Sequence, residues 1–395
     1  MDGAMVTELV RTSVAATSSG TASQTPKSTF ARSSSLQHSF ASRGSIVFGG
    51  RLLSQVLPSA RQSITQQPQG ETMWALVDTT GAVWTANAEF SVVRSVGVTV
   101  PKYTIADETQ RFQWIGTGWM VVTDAGRAVY RVSQDLTTWT YLPTLSTTTG
   151  EYYTKVVFTT NPLILYFIST AVGLYKSTDG GTTWTLRTGG SPILNTNHTD
   201  LVVLSTGRLV LSHSSNPTTA KIYTSDDDGV SWVLREEFVS GGATFLDISR
   251  IGSRLFVGAR QTMYTSTDNG TTWSALPSLV STPSTYVTTL KQHVPTYVAV
   301  VTNPGGAGGP AWTPDPLTTQ LTLGTTTDGA QLRGWDYYSL QLRYNGTRFS
   351  FTNINNNRLY TSADGKVWSP VAHPISGRQF WIAAPKVTDP TKVQG

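Results

Sequence analysis

From about residue 71 to residue 390 the chain is written in short apolar runs, rich in Val, Ile, Thr and aromatic residues and separated by Gly, Asn, Asp and Pro. That patterning predicts strands divided by tight turns, and no stretch of the body carries a convincing helical period. One region reads as four strands in succession: Asp200–Ser205 (DLVVLS), Arg208–Ser214 (RLVLSHS), Lys221–Ser225 (KIYTS) and Ser231–Glu236 (SWVLRE).

The last two of these runs belong to a phrase that recurs. LYKSTDGGTTWTLR begins at Leu174, IYTSDDDGVSWVLR at Ile222, MYTSTDNGTTWSAL at Met263 and LYTSADGKVWSPV at Leu359, with a weaker copy, VYRVSQDLTTWTYL, from Val129. The opening aromatics are Tyr130, Tyr175, Tyr223, Tyr264 and Tyr360, so the steps are 45, 48, 41 and 96 residues. Trp312 lies midway across the long gap and Trp84 lies 46 residues before Tyr130, which makes seven units. Four strands recurring at such a period predict an all-β, seven-bladed β-propeller of four-stranded antiparallel blades.

The phrase has the pattern Ser-x-Asp-x-Gly-x-Thr-Trp. It is complete at Ser177, Asp179, Gly181, Thr183 and Trp184, and at Ser266, Asp268, Gly270, Thr272 and Trp273. A third copy, Ser225, Asp227, Gly229, Ser231 and Trp232, has Ser for Thr. Two copies are one residue shorter: Ser133, Asp135 and Trp139, with Thr137 near the glycine place, and Ser362, Asp364 and Trp368, with Lys366 near it. A short Asp caps the backbone of its own turn, Gly accepts positive φ, and Trp supplies a large apolar ring, so these residues are expected to carry structure. The first and sixth units keep only the aromatic and a polar turn, and ordinary hairpins are expected there.

On these residues the chain resembles the Asp-box (BNR-type) propellers of the sialidase superfamily. The resemblance implies the scaffold and stops there. Sialidases open their propeller with an Arg-Ile-Pro motif, whereas the one Arg-Ile pair here, Arg250-Ile251, comes late and is followed by Gly252. A weaker likeness is to the Asp-box assembly factor of photosynthetic membranes, also a single seven-bladed ring.

The ends predict how the ring closes. The first unit opens at ETMWALVDTTGAVWTAN without an innermost strand, and the strand-like segment Arg378–Val387 follows the last turn with no strands after it. Placing Phe380, Trp381 and Ile382 as the inner strand of the first blade joins the ends by hydrogen bonds and removes the open sheet edges. The expected organisation is an extended arm over 1–70, the propeller over 71–390 and a tail over 391–395.

Composition separates arm from body. All 12 Trp lie beyond residue 70, whereas the first 70 residues hold 21 Ser or Thr, no Trp or Tyr, and a charge of +4 out of the formal +5. Six dispersed cations with few aromatics do not read as a specific nucleic-acid site. A docking arm that orders against a larger assembly is the sharper expectation. No run is long enough for a membrane span, no secretory signal is recognisable, and zero cysteines exclude disulfides.

The sequence carries no recognisable catalytic constellation, metal-ligand spacing or cofactor motif. Asp200, Asp247, Glu151 and Asp336 fall near inner strands or their loops, where glycosidase carboxylates would have to pair. His38, His198, His213, His293 and His373 lack metal-ligand spacing and read as satisfied surface residues. NPGGAGGP at Asn303–Pro310 is followed by no phosphate-binding Lys-Ser/Thr. With its docking arm, cysteine-free chain and Thr-rich strands, the protein resembles tail or capsid-attached proteins of bacteriophage virions, made in the host cytoplasm and partnered with other virion proteins through the arm. The alternative is a propeller that binds or cleaves host surface glycans, with Trp114, Trp119, Trp312, Trp335 and Trp381 as sugar platforms.

Overall fold

In a computed structural model, the described residues are 47–48, 51–52 and 74–385, apart from 79, 102–110, 124–126, 146–153, 160, 162, 170–171, 188–197, 217–218, 240–247, 260–261, 278–285, 294–295, 303–308, 331–341, 354–357 and 373–379. The chain divides into two units, Met1–Thr65 and Gln66–Gly395. In the first unit Val47–Phe48 pairs with Arg51–Leu52 as a short hairpin; the rest of the expected arm lies outside the described residues.

The second unit is a β-propeller of seven small antiparallel sheets. Blade 2 runs outward through Arg111–Trp114, Trp119–Thr123, Ala128–Val132 and Trp139–Tyr141. Blade 3 uses Thr154–Phe158, Leu165–Ser169, Gly173–Ser177 and Thr185–Arg187, and blade 4 uses His198–Val203, Leu209–Asn216, Thr219–Ser225 and Val233–Val239. Blade 5 follows with Ile248–Ile251, Arg254–Ala259, Thr262–Ser266 and Ser274–Ala275, and blade 6 with Tyr286–His293, Thr296–Thr302, Gly309–Thr313 and Thr322–Leu323. Blade 7 consists of Arg343–Tyr344, Phe349–Asn353, Arg358–Ser362 and Val367–Pro370, and Thr325–Thr326 from the preceding linker adds a parallel fifth strand on its outer edge.

Blade 1 contains both ends of the ring. Its second to fourth strands are Trp74–Asp78, Ala82–Ala86 and Val93–Thr99, and its inner strand is Phe380–Pro385, paired antiparallel with Trp74–Asp78. Phe380 stands opposite Asp78 and Ile382 opposite Val77, with a register shift that takes in Trp381. The C-terminal strand therefore closes the ring.

Each blade is apolar on both faces because each has a neighbour on both sides. Successive side chains of a strand point to opposite faces, so a strand covered twice reads as an unbroken apolar run. WALVD, WMVVT and LYFIS, the second strands of blades 1 to 3, are buried at every position. Their alternation is legible in the packing: Leu165 and Phe167 of blade 3 meet Ile115, Met120 and Val122 of blade 2, while Tyr166 and Ile168 meet Leu201 and Leu211 of blade 4. Equivalent clusters fill the other gaps, including the closing one, where Leu359 of blade 7 packs with Trp74 and Leu76 of blade 1. Burying a Leu or Phe side chain stabilises by about 1.5–3 kcal/mol, and each blade contributes several such residues to two interfaces.

The anchor aromatics obey this alternation with one exception. Tyr130, Tyr175, Tyr223, Tyr264 and Tyr360 all pack toward the preceding blade. Trp312 does not occupy their place. The third strand of blade 6 ends at Thr313 as that of blade 3 ends at Ser177, so Trp312 stands one residue later than Tyr175 and its ring turns toward blade 7. The 48-residue spacing hides this one-residue offset, which a period-2 strand converts into a change of face.

Truncation before Arg378 is expected to abolish cooperative thermal unfolding and yield aggregates by size-exclusion chromatography, because it leaves Trp74–Asp78 as an open edge. Truncation after Pro390 should preserve the melting temperature and monodispersity.

Candidate functional site

The repeated turns join strands three and four, and all lie at one face of the ring. In blade 3, Ser177 Oγ accepts the Gly181 N–H at 2.8 Å and donates to Asp179 at 2.8 Å. Asp179 in turn accepts the Thr182 and Thr183 N–H groups and, at 2.6 Å, the Thr183 hydroxyl. Blade 5 repeats this with Ser266, Asp268 and Thr272. In blade 4, Ser231 does Thr's work on Asp227, its hydroxyl at 2.6 Å and its N–H at 2.8 Å. The indole N–H of the closing Trp donates to a carbonyl three residues earlier in all five copies: Trp139 to Leu136, Trp184 to Gly181, Trp232 to Gly229, Trp273 to Gly270 and Trp368 to Gly365.

That shared bond corrects the assignment of the two short turns. The glycine place is held by Leu136, at φ 65°, and by Gly365, at φ 77°, not by Thr137 and Lys366. The shortening falls between the Ser and this residue, and the three-residue step to Trp is kept. Blade 6 is also more than an ordinary hairpin. Its Thr313 hydroxyl accepts the Asp315 N–H at 3.2 Å, and Asp315 accepts the Leu317 N–H at 2.9 Å, a Thr-x-Asp version of the same cap.

Each turn docks on the blade before it. Gly181 lies by Ile115 of blade 2, Gly229 by Leu174 of blade 3, Gly270 by Val210 of blade 4 and Gly365 by Val298 of blade 6. Leu136 joins the blade 1 cluster, Leu317 and Leu321 pack with Ile251 and Phe256 of blade 5, and Phe90 of the blade 1 turn packs with Leu359 of blade 7. Polar contacts follow the same direction. Arg131 reaches Thr182 at 3.0 Å, Arg208 reaches Thr271 at 3.0 Å, Thr296 reaches the Asp364 carbonyl at 2.9 Å, and Arg348 pairs with Glu89 at 2.5 Å. Between blades 3 and 4, Tyr166 OH and Lys176 Nζ converge on Asp228 at 2.6 and 2.7 Å. Burial and the hydrogen bond to Asp228 push the Tyr166 phenol far above its ordinary range.

These bonds set the electrostatics of the acidic residues. The Thr183 hydroxyl and N–H hold the Asp179 carboxyl at about 2, and Ser231 does the same for Asp227. Asp268 also lies at about 2, its desolvation outweighed by Thr272 and Ser266. Asp200, considered for glycoside chemistry, is buried and accepts the Leu201 N–H at 2.7 Å and the Ile248 N–H of blade 5 at 2.9 Å, so it joins two blades. Glu151, Asp247 and Asp336 lie outside the described residues. No cluster of three or more His, Cys, Asp or Glu suited to a metal occurs among the described residues.

Three of the candidate sugar platforms are otherwise engaged. Trp114 and Trp119 pack edge to face at 5.2 Å inside the core, and Trp312 is covered by Lys366 Nζ at 4.4 Å from its ring centre. Trp335 and the side chain of Trp381 lie outside the described residues.

His213 is not a satisfied surface residue. It is 7% exposed, its Nδ1 has no hydrogen-bond partner, and desolvation, assisted by Lys221, lowers its pKa to about 4. Sequence offered no signal for this, because a His in an otherwise polar tail of a strand looks exposed. The side chains of the other four histidines lie outside the described residues.

No protein-family profile and no curated protein sequence matches the chain. Among solved structures it is similar to the GH74 xyloglucanase from Xanthomonas campestris, at 13% identity over 78% of this chain and 53% of that one, with a TM-score of 0.52. It is also similar to a functionally unknown protein from Desulfotomaculum acetoxidans, at 12% identity over 79% and 99% of the two chains, TM-score 0.51. A third similarity is to YCF48 from Cyanidioschyzon merolae, at 16% identity over 70% and 87%, TM-score 0.46. The first two likenesses show the fold alone; the seven sheets of the chain itself define the class of protein, a seven-bladed β-propeller. No helix among the described residues is long and apolar enough to cross a membrane.

Gly229→Ala would drive a methyl group into Leu174 at φ 81° and is expected to cost about 2–4 kcal/mol in denaturant melts. Gly207→Ala, at φ 86° with nothing within 4 Å, should cost about 1 kcal/mol. The pH dependence has two windows. His213 has a lowered folded pKa, so the stability it withholds on protonation is lost as pH falls from about 6.5 to about 4, on the order of 2–3 kcal/mol. The turn aspartates, also lowered, lose theirs from about 3.8 to about 2. Melting temperatures of His213→Leu should be flat across the upper window and fall only in the lower one.

Proposed function

We propose that the protein is a non-enzymatic structural component of a bacteriophage virion, a rigid tail-associated propeller serving as adaptor, nozzle segment or fibre base and held to other virion proteins through residues 1–70. The observation that supports the non-enzymatic part is the commitment of the described aspartates: each accepts a hydrogen bond or ion pair within a turn or between strands and blades. Acid–base or glycosidic chemistry needs a carboxylate free to face substrate. A ring latched blade to blade is suited to transmitting force and position.

The virion part draws on the arm: a Ser/Thr-rich, basic segment without Trp or Tyr, poorly able to bury its own core and well able to order on a partner. The alternative, a carbohydrate-binding or glycan-cleaving propeller, has in its favour the fold shared with the xyloglucanase, and fold alone does not carry activity.

The test is complementation in infected cells with residues 1–395 or 71–395. The shorter chain is expected to fold with an unchanged melting temperature and to be missing from purified particles that contain the full chain. Incorporation of both, or of neither, sinks the docking-arm reading, and glycan binding or hydrolysis by 71–395 supports the alternative.

A further inference from the structure

The chain contains two Asn-Gly pairs, Asn269-Gly270 and Asn345-Gly346. Asn-Gly is the dipeptide best built to lose its side-chain amide, because a glycine nitrogen, with no Cβ beside it, reaches the Asn side-chain carbon with little steric hindrance. The two pairs have contrasting surroundings.

Asn345 is 1% exposed. Its Oδ1 accepts the Thr347 and Arg348 N–H groups at 3.0 and 2.7 Å and the Thr347 hydroxyl at 3.0 Å, and its Nδ2 donates to the Ala88 carbonyl of blade 1 at 3.3 Å. The amide is thus shut away from water and fully bonded.

Asn269 stands in the repeated turn of blade 5, exposed and at φ 59°, and its side-chain amide makes no hydrogen bond among the described residues. Here it is the attacking atom that is held. The Gly270 N–H donates to Ser266 Oγ at 2.9 Å, and Gly270 is buried at φ 82° against Val210. Closing a ring from that nitrogen requires Asn269 to leave the left-handed region and Gly270 to release Ser266, so the turn must open first.

The turn also accepts the product. The residue before the turn glycine is Gly180 in blade 3, at φ 67°, and Asp228 in blade 4, at φ 62°. An aspartate therefore already occupies this place in the neighbouring blade, with the Gly229 N–H still on Ser225 and the Trp232 indole still on Gly229.

We propose that Asn269 is a deamidation site gated by the Ser266 bond that holds Gly270. In the opened turn the Gly270 nitrogen gives its proton to base and bonds to Asn269 Cγ, the bond from Cγ to Nδ2 breaks, and the amide nitrogen leaves as ammonia. Water then opens the resulting succinimide at either carbonyl, leaving aspartate or isoaspartate. The net change is hydrolysis, with water consumed and ammonia released, so no oxidant, reductant or cofactor takes part. Each event adds a negative charge to the face that carries the repeated turns. The site is independent of both the virion and the glycan reading.

The experiment ages the full chain, wild type and Ser266→Ala, at mildly alkaline pH and locates converted residues by protease digestion and mass spectrometry. The expected result is conversion at Asn269 and none at Asn345 in wild type, and conversion at Asn269 about three- to tenfold faster in Ser266→Ala, the effect of removing one hydrogen bond from the gate. Asn269→Gly, which gives this turn the residue of blade 3, should abolish the acidic species on ion exchange, and Asn269→Asp should melt as wild type does. Should Ser266→Ala fail to fold, Thr272→Val, which removes the 2.6 Å hydroxyl bond to Asp268 without touching the pair, is expected to give the same acceleration. Conversion at Asn345 ahead of Asn269, no conversion at Asn269 in any protein, or equal rates in wild type and the loosened variants overturns the proposal.

Discussion

The constraint on which the architecture depends is that each blade is apolar on both faces. A four-stranded sheet with residues such as Trp74, Leu76, Ala75 and Val77 alternating to opposite sides cannot stand alone in water or with one neighbour. It needs a blade on either side, and so does every other blade, which no open row of sheets can satisfy. A ring satisfies it, and the strand Phe380–Pro385 makes the ring continuous by supplying blade 1 with backbone partners from the far end of the chain. Stability is therefore distributed around the circle, with no cysteine to staple it.

The repeated turn is the second device serving that constraint. Its Ser, Asp and Thr spend their hydrogen bonds locally, which makes the turn a rigid object, and its glycine or Leu136 and its Trp then press that object into the preceding blade. Side-chain bonds such as Arg208 to Thr271 and Tyr166 to Asp228 point the same way. All seven blades thus latch in one rotational sense, including blade 6 with its Thr313 and Asp315 variant and blade 1, where Phe90 and Glu89 perform the contact without the repeated motif. The two faces of the ring consequently differ: one carries the satisfied turns, the other the ends of strands where Thr123, Ser169 and His213 lie buried without partners.

Much of this was legible in the chain, because the features that define the fold are local and periodic. Strand runs, turn residues and the recurrence of a Tyr or Trp near every 41 to 48 residues define seven four-stranded units, and a strand missing from the first unit with one left over after the last implies closure. Spacing failed where a single residue mattered. Trp312 matches the period to the residue yet stands one place out of register, and the glycine place of the short turns falls on Leu136 and Gly365, which only the indole hydrogen bond identifies.

What the sequence by itself determined is the class of the fold, its blade number and its manner of closing, since each follows from short-range pattern repeated along the chain. Tertiary structure alone decided which blade a turn leans on, that Asp200 links two blades, and that His213 is enclosed and neutral. Those properties depend on what lies across a cleft, from residues roughly one blade repeat away in sequence. Desolvation and hydrogen-bond satisfaction are set by those neighbours, and no local pattern records them.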